Sequence, residues 1–197
     1  MSQKDFWNQR YLDRNTGWDL GRVAPPFVHL VESGVLVPGA TVLIPGAGRG
    51  WEGLYLSRAG FRVTCVDFSP EAIAQARALS DKENVAVAYL EADLFSLFPE
   101  KHGTFDYLLE QTCFCAIDPD RRSDYVAMAS RMIRPGGELV GLFYIHGREG
   151  GPPWTTTAEE VRRLFGAAFD FLAFEVTPLS VESRKGEEIL ARLRRMS

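Results

Sequence analysis

Cysteine is scarce in this chain: three among 197 residues, at Cys65, Cys113 and Cys115. Three thiols cannot make a fully paired disulfide framework, and these do not stand at zinc-ligand spacings. A reduced, cytoplasmic protein is the expectation. An excess of basic charge is missing as well. Lys and Arg number 22 against 26 Asp and Glu, a net charge of −4, so no nucleic-acid partner is expected. The three histidines, His29, His102 and His146, are scattered and suggest no metal site. No apolar run approaches the ~20 residues that cross a bilayer, which argues against a membrane partner. Residues 1–9 are polar and aromatic rather than basic and then apolar, unlike a signal peptide. Repeats, low-complexity tracts and long polar linkers are also lacking. One domain over residues 1–197 is expected.

Apolar residues make up 46% and charged residues 24%, values ordinary for a globular domain. Their order is more informative than their number. Short apolar runs at 40–44, 61–66, 85–90, 105–109 and 138–144 read as strands buried on both faces. Amphipathic segments separate them. Ser69-Pro70-Glu71 starts a helix with an N-cap, a first-turn proline and a first-turn acid. Residues 120–134 place Tyr125, Met128, Ala129, Met132 and Ile133 on one helical face, before Pro135-Gly136-Gly137 stops it. Thr157 and Glu160 stand as a capping box before Val161, Leu164 and Phe165. Strands alternating with helices predict a parallel sheet with right-handed crossovers, an α/β Rossmann-like fold with helices on both faces. Two late strands, 169–176 and 188–195, follow each other through a short loop and must pair antiparallel. Arg192, Arg194 and Arg195 on the last of them read as a solvated edge. Residues 1–36 precede the sheet and look like a helical cap.

The densest signal lies after the first strand. Pro45-Gly46-Ala47-Gly48-Arg49-Gly50 lets the backbone approach a ligand and opens a helix whose N–H groups face it. Asp67 closes the second strand, where a carboxylate can take both ribose hydroxyls of an adenosine-type cofactor. The dinucleotide pattern GxGxxG would need a small residue at Trp51, and no Walker lysine follows the loop. GxGxG is the pattern of S-adenosylmethionine-dependent methyltransferases. Asp93, just after the third strand, is then placed for the adenine amino group. Leu94 or Phe95 covers the ring.

Further segments carry a family resemblance: Phe6-Trp7 with Tyr11, Thr16-Gly17-Trp18-Asp19-Leu20-Gly21, Cys113-Phe114-Cys115-Ala116-Ile117, Gly150-Gly151-Pro152-Pro153-Trp154 and Ser183-Arg184-Lys185-Gly186. With the glycine loop, they make the chain resemble a class I methyltransferase of the thiopurine methyltransferase superfamily, nearest the halide/thiol (thiocyanate) branch. The resemblance implies a seven-stranded, mostly parallel sheet of order 3-2-1-4-5-7-6 with one antiparallel strand. It also implies S-adenosylmethionine as cofactor and S-adenosylhomocysteine as product. Trp7, Tyr11 and Trp18 of the cap fold over that cofactor. Gly46, Ala47, Gly48, Gly50, Asp67, Phe68, Asp93, Leu94 and Glu110 complete the expected cofactor set. Arg49 departs from the small or neutral residue expected inside the loop.

Methyl transfer from a sulfonium is an in-line displacement in which the donor is already activated, so alignment dominates. A soft nucleophile also gains by losing water, so the acceptor side should be aromatic and poor in bases. Phe114 and Cys115 follow the fourth strand, Tyr144 ends the fifth, Trp154 lies in a lid-like loop, and Arg184 offers positive charge to an anion. Those five form the expected acceptor side, with Tyr144 assigned there by the resemblance. His146 is placed to take a thiol proton. Glu110-Gln111-Thr112-Cys113 replaces the Asn/Asp-Pro-Pro-Tyr motif of amino-methylating DNA enzymes. The expected partner is a small-molecule acceptor with a thiol- or thiocyanate-type sulfur, turned over by a monomer or weak homodimer. An O- or N-methyltransferase and a non-catalytic cofactor-binding module remain open alternatives.

Overall fold

Seven strands form one sheet of order β3-β2-β1-β4-β5-β7-β6 in the computed structural model, which describes residues 2–197. Two compact units share the chain, residues 1–96 and 97–197.

The first unit opens with α1 (Gln3–Leu12), whose capping box pairs the Ser2 hydroxyl with the Asp5 N–H and the Asp5 carboxylate with the Ser2 N–H. Helix α2 (Pro25–Glu32) starts on its two prolines and buries Phe27 and Leu30. Strand β1 (Thr41–Pro45), helix α3 (Trp51–Arg58), strand β2 (Arg62–Asp67), helix α4 (Pro70–Lys82) and strand β3 (Ala88–Glu91) then alternate, with β1, β2 and β3 pairing parallel. Ser69 caps α4 as its sequence predicts, accepting from Ala72 N–H at 3.1 Å. One glycine decides how closely α3 meets the sheet: a Cβ on Gly53 would stand 2.4 Å from Cys65 Sγ. The third strand is shorter than the 85–90 expected. Asn84 takes φ 52° and Val85 N–H donates to Ser80 O, so Val85 is spent closing α4, and the ladder begins at Ala88.

The second unit contains α5 (Pro99–His102), β4 (Phe105–Gln111), α6 (Arg122–Met132), β5 (Ile133–Tyr144), α7 (Ala158–Phe165), β6 (Phe169–Val176) and β7 (Glu188–Arg195). Strand β5 pairs parallel with β4, and β7 runs antiparallel to both its neighbours, β5 and β6. Two expectations change here. Strand β5 begins at Ile133 rather than 138. The Pro-Gly-Gly stretch does follow the end of α6, but it lies within β5, beside a register shift between Phe105 and Tyr107. Arg194 is exposed as expected, but Arg192 and Arg195 are partly buried, because β7 is interior to the sheet. Arg192 forks onto Glu138 at 2.9 and 3.1 Å, and Arg195 donates to Ile133 O. The core of this unit is aromatic: Phe114, Tyr125, Phe143 and Phe165 meet edge-on or tilted, with centroids 5.4–5.6 Å apart. Among the described residues no helix is long and apolar enough to cross a membrane.

Candidate active site

In the first unit the glycine loop leaves β1 and enters α3 through left-handed backbone, with φ 60° at Gly46, 54° at Gly48 and 75° at Gly50. Only glycine adopts this without strain. The loop is also crowded by its own protein. A Cβ on Gly48 would stand 2.7 Å from the Tyr11 hydroxyl, and one on Gly50 2.9 Å from that of Tyr89. Ala47 N–H donates to Val66 O, which ties the loop to the end of β2.

Asp67 sits at that end, 7% exposed. Its carboxylate accepts from Gly48 N–H at 3.0 Å and Ser69 N–H at 2.9 Å. Burial pushes its pKa up, and these N–H donors pull it back. A carboxylate offers about four acceptor positions, and the two N–H groups leave room for a ribose diol. An adenosine-type cofactor therefore fits the loop and this acid. Asp93 is exposed and accepts from Phe95 N–H at 2.9 Å, capping the short turn that contains Leu94. Phe68 is half-buried beside Asp67.

The cap aromatics gather into one cluster. Trp18 meets Trp7 edge-on at 5.2 Å and Tyr11 at 5.7 Å, with the Arg10 guanidinium 4.9 Å from its ring. Burial raises the Tyr11 pKa, and the nearby Asp67 charge adds to this. The residue that joins cap to loop is one the motif reading passed over. Asp19 accepts from Trp51 Nε1 at 2.9 Å and Gly21 N–H at 2.7 Å, and Arg49 Nη1 lies 3.1 Å from its other oxygen. This accounts for both oddities of the loop: Trp51 and Arg49 hold the cap. Asn8 is a second such link, accepting from Ser69 Oγ and Glu71 N–H. Their signal was position within the Trp18-Asp19 and Phe6-to-Tyr11 segments.

In the second unit Glu110 ends up as an anchor. It is 1% exposed. Oε1 accepts from Cys113 and Phe114 N–H at 3.0 and 2.9 Å, and Oε2 from Tyr125 Oη at 2.5 Å. Burial pushes its pKa up to about 7 despite these donors. The turn it closes holds Thr112 at φ 55°, an uncommon conformation for a β-branched residue. Phe114 points into the aromatic core, with the Arg122 guanidinium 4.9 Å from its ring. Cys115 is buried and its thiol is pushed up to about 12, so it is no thiolate nucleophile.

The Gly-Gly-Pro-Pro loop is pinned rather than loose. Trp154 N–H donates to Cys115 O at 2.7 Å. Arg122, 2% exposed, donates to Thr155 O at 3.1 Å and to Glu160 at 2.6 Å. That pairing explains why only half of the predicted capping box forms. Thr157 accepts from Glu160 N–H, while the Glu160 carboxylate goes to a buried guanidinium, a stronger partner than a backbone N–H.

Tyr144 lies between two arginines, with the Arg148 and Arg184 guanidinium carbons each 5.5 Å from its ring. Its hydroxyl accepts from Arg148, which also forks onto Glu187 at 3.0 Å twice. Arg184, which sequence alone left free to be a surface residue, is 7% exposed and pairs with buried Glu188 at 3.2 Å. His146 packs on Tyr144 with ring centroids 4.9 Å apart. No group of three or more His, Cys, Asp or Glu capable of holding a metal occurs among the described residues.

Comparison with known proteins gives this geometry a family. A thiol methyltransferase of Arabidopsis thaliana, designated probable, is 31% identical over 97% of this chain and 85% of its own length. A thiocyanate methyltransferase of Brassica oleracea is 32% identical over the same shares. Among solved structures, a protein described for conversion of a disulfide bond into a thioacetal group in echinomycin biosynthesis superposes with TM-score 0.82 at 22% identity, over 99% of this chain and 94% of its own. A 1,6-didemethyltoxoflavin N1-methyltransferase of Burkholderia thailandensis, with S-adenosylhomocysteine bound, gives 0.77 at 21% identity, over 98% and 87%. At such identities these two show the fold. The sequence model for thiopurine S-methyltransferase (TPMT) matches residues 2–195, so the chain belongs to that family.

Proposed function

We propose that the protein is an S-adenosylmethionine-dependent S-methyltransferase whose acceptor is a small soft nucleophile, a thiol, thiocyanate or related anion. Family membership and the relatives' named activities support methyl transfer to sulfur. One observation carries the acceptor class: the carboxylates and the imidazole beside Phe114 and Tyr144 are already engaged, Glu187 by the Arg148 fork. Both Glu110 oxygens are engaged by three donors, and His146 Nδ1 accepts from Arg148 N–H at 3.3 Å. An acceptor with a pKa far above neutrality would need a base; a thiol near 8.5 or a permanent anion does not.

S-adenosylmethionine, when bound, supplies an activated methyl group on a sulfonium. Gly46, Ala47, Gly48 and Gly50 let the backbone approach it, Asp67 accepts the ribose hydroxyls, and Asp93 and Leu94 receive the adenine. Trp7, Tyr11 and Trp18 exclude water above it, held by Asp19. On the acceptor side Tyr144, Cys115 and Trp154 form apolar and aromatic walls, and Arg184 offsets the acceptor's charge. Glu110 and Phe114 support that side from behind. A small-molecule acceptor and one catalytic domain over residues 1–197 complete the reading.

The test is S-adenosylhomocysteine release with hydrogen sulfide, an aryl thiol, thiocyanate, iodide, a thiopurine and a catechol. Turnover on the sulfur compounds with little on catechol is expected. Silence across the panel, with cofactor binding confirmed by calorimetry, overturns the acceptor class. Asp67→Ala should weaken cofactor binding at least tenfold, the loss of one charge-assisted interaction of about 1.5–3 kcal/mol. Unchanged affinity refutes the placement.

A further inference from the structure

His146 is 2% exposed, yet its Nε2 has no hydrogen-bond partner. Buried polar atoms are rarely left so, and each exception needs an explanation, a role toward a ligand among them. The other ring nitrogen settles the tautomer. Nδ1 accepts the backbone N–H of Arg148 at 3.3 Å, so in the neutral ring the proton sits on Nε2. Burial and the Arg148 guanidinium hold the imidazole below its ordinary pKa. The Glu187 carboxylate and the carbonyls of Pro153 and Trp154, which lie close to the ring without forming a geometric hydrogen bond to Nε2, act the other way, more weakly. Tyr144, 4.9 Å away, is the remaining titratable neighbour, with Arg184 on its ring. The ring is therefore a neutral donor with its Nε2 proton uncommitted and its basic nitrogen occupied. The notion of a thiol-proton acceptor fails on this geometry.

We infer that His146 Nε2–H donates a hydrogen bond to the anionic acceptor, binding a thiolate, thiocyanate or halide beside Tyr144. The inference rests on the proposed S-methyltransferase reading and deepens it. A thiol then loses its proton to solvent before binding. During transfer the nucleophile gives up negative charge to the new carbon bond, and the sulfonium becomes a neutral thioether; no proton moves. A donor to that atom stabilises the bound anion more than the transition state. Its loss should raise KM and leave kcat unchanged or slightly higher.

The experiment compares wild type with His146→Leu and His146→Gln on thiocyanate or iodide, which have no proton to lose, and on a small thiol across pH. For His146→Leu, KM should rise roughly ten- to a hundredfold on both acceptor kinds, with kcat held; His146→Gln, which keeps an amide donor, should recover much of the loss. A deficit confined to the thiol and cured by raising pH means a base and overturns the inference. Unchanged KM on all acceptors, or a fall in kcat with lower melting temperature, means a structural ring and overturns it too. Imidazole 15N spectra without cofactor give a second readout: an Nε2–H neutral tautomer whose Nε2 shift moves on thiocyanate addition. Resonances indifferent to saturating thiocyanate refute the contact. Wild-type silence on every sulfur acceptor is instead the failure of the parent reading.

Discussion

Replacing Glu110 with Gln tests the anchor of the turn that follows β4. The substitution keeps the shape and the oxygen that accepts from Cys113 and Phe114, while removing a charge buried to 1% exposure. The folded carboxyl titrates near 7 against an ordinary value of 4.5. A carboxyl raised in this way favours the folded state when protonated. Its stabilising contribution is whole below about pH 4.5 and is lost as pH rises through about 7. A rise of about 2.5 pH units at 1.36 kcal/mol each amounts to about 3 kcal/mol. Wild type should lose that much relative to Glu110→Gln between about pH 4 and pH 8. For a chain of this size it corresponds to roughly 6–12 °C in melting temperature. The assay is urea unfolding of both proteins across that range, read as the difference between them so that other titrating groups cancel. A difference that stays flat, or that favours wild type as pH rises, refutes the argument that burial outweighs the three donors.

Asp19→Ala removes the acceptor for Trp51 Nε1 and Gly21 N–H. It should cost about 1–3 kcal/mol in denaturant unfolding and weaken cofactor binding in calorimetry; cofactor affinity equal to wild type would show that the cap does not depend on this link. Gly53→Ala gains about 1 kcal/mol of helix propensity but sets a methyl 2.4 Å from Cys65 Sγ. A net loss of about 1–3 kcal/mol is expected, most of it recovered by Cys65→Ala in the same chain. Arg122→Met strands Thr155 O and Glu160 beside the pinned loop. Because Glu160 keeps some solvent, the loss should lie near the low end of about 3–5 kcal/mol, measured by thermal melting with Arg122→Lys as a partial rescue.

Signals that repeat along the chain were legible without coordinates. Apolar runs and helical periodicity depend on neighbours within a turn or a strand, and they located every strand to within a few residues. Ser69 capped α4 as its place before Pro70 requires, and the glycine loop opens α3 as its position after β1 implied. Asp67 stands at its strand end because β2 has the length its sequence states. Errors came where a local rule met a distant competitor. Val85 patterns as the start of a strand, but closing α4 claims it first. Glu160 fits a capping box until Arg122, 38 positions earlier, takes its carboxylate.

What the sequence by itself determined is the kind of element at each place, the glycine loop between β1 and α3 and the family those motifs mark. Strand order beyond the parallel core needed the resemblance, because β5 passes over β6 to pair with β7, joining residues 44 to 56 positions apart. Only tertiary structure decided what each polar side chain does. It set Glu110 as an anchor, Trp51 and Arg49 as holders of the cap through Asp19, and Arg192 as a fork on Glu138. It also chose the nitrogen of His146 that keeps its proton. Burial and hydrogen-bond partners are properties of atoms brought together by the fold. Two residues of one type at equivalent sequence positions differ only when those surroundings exist.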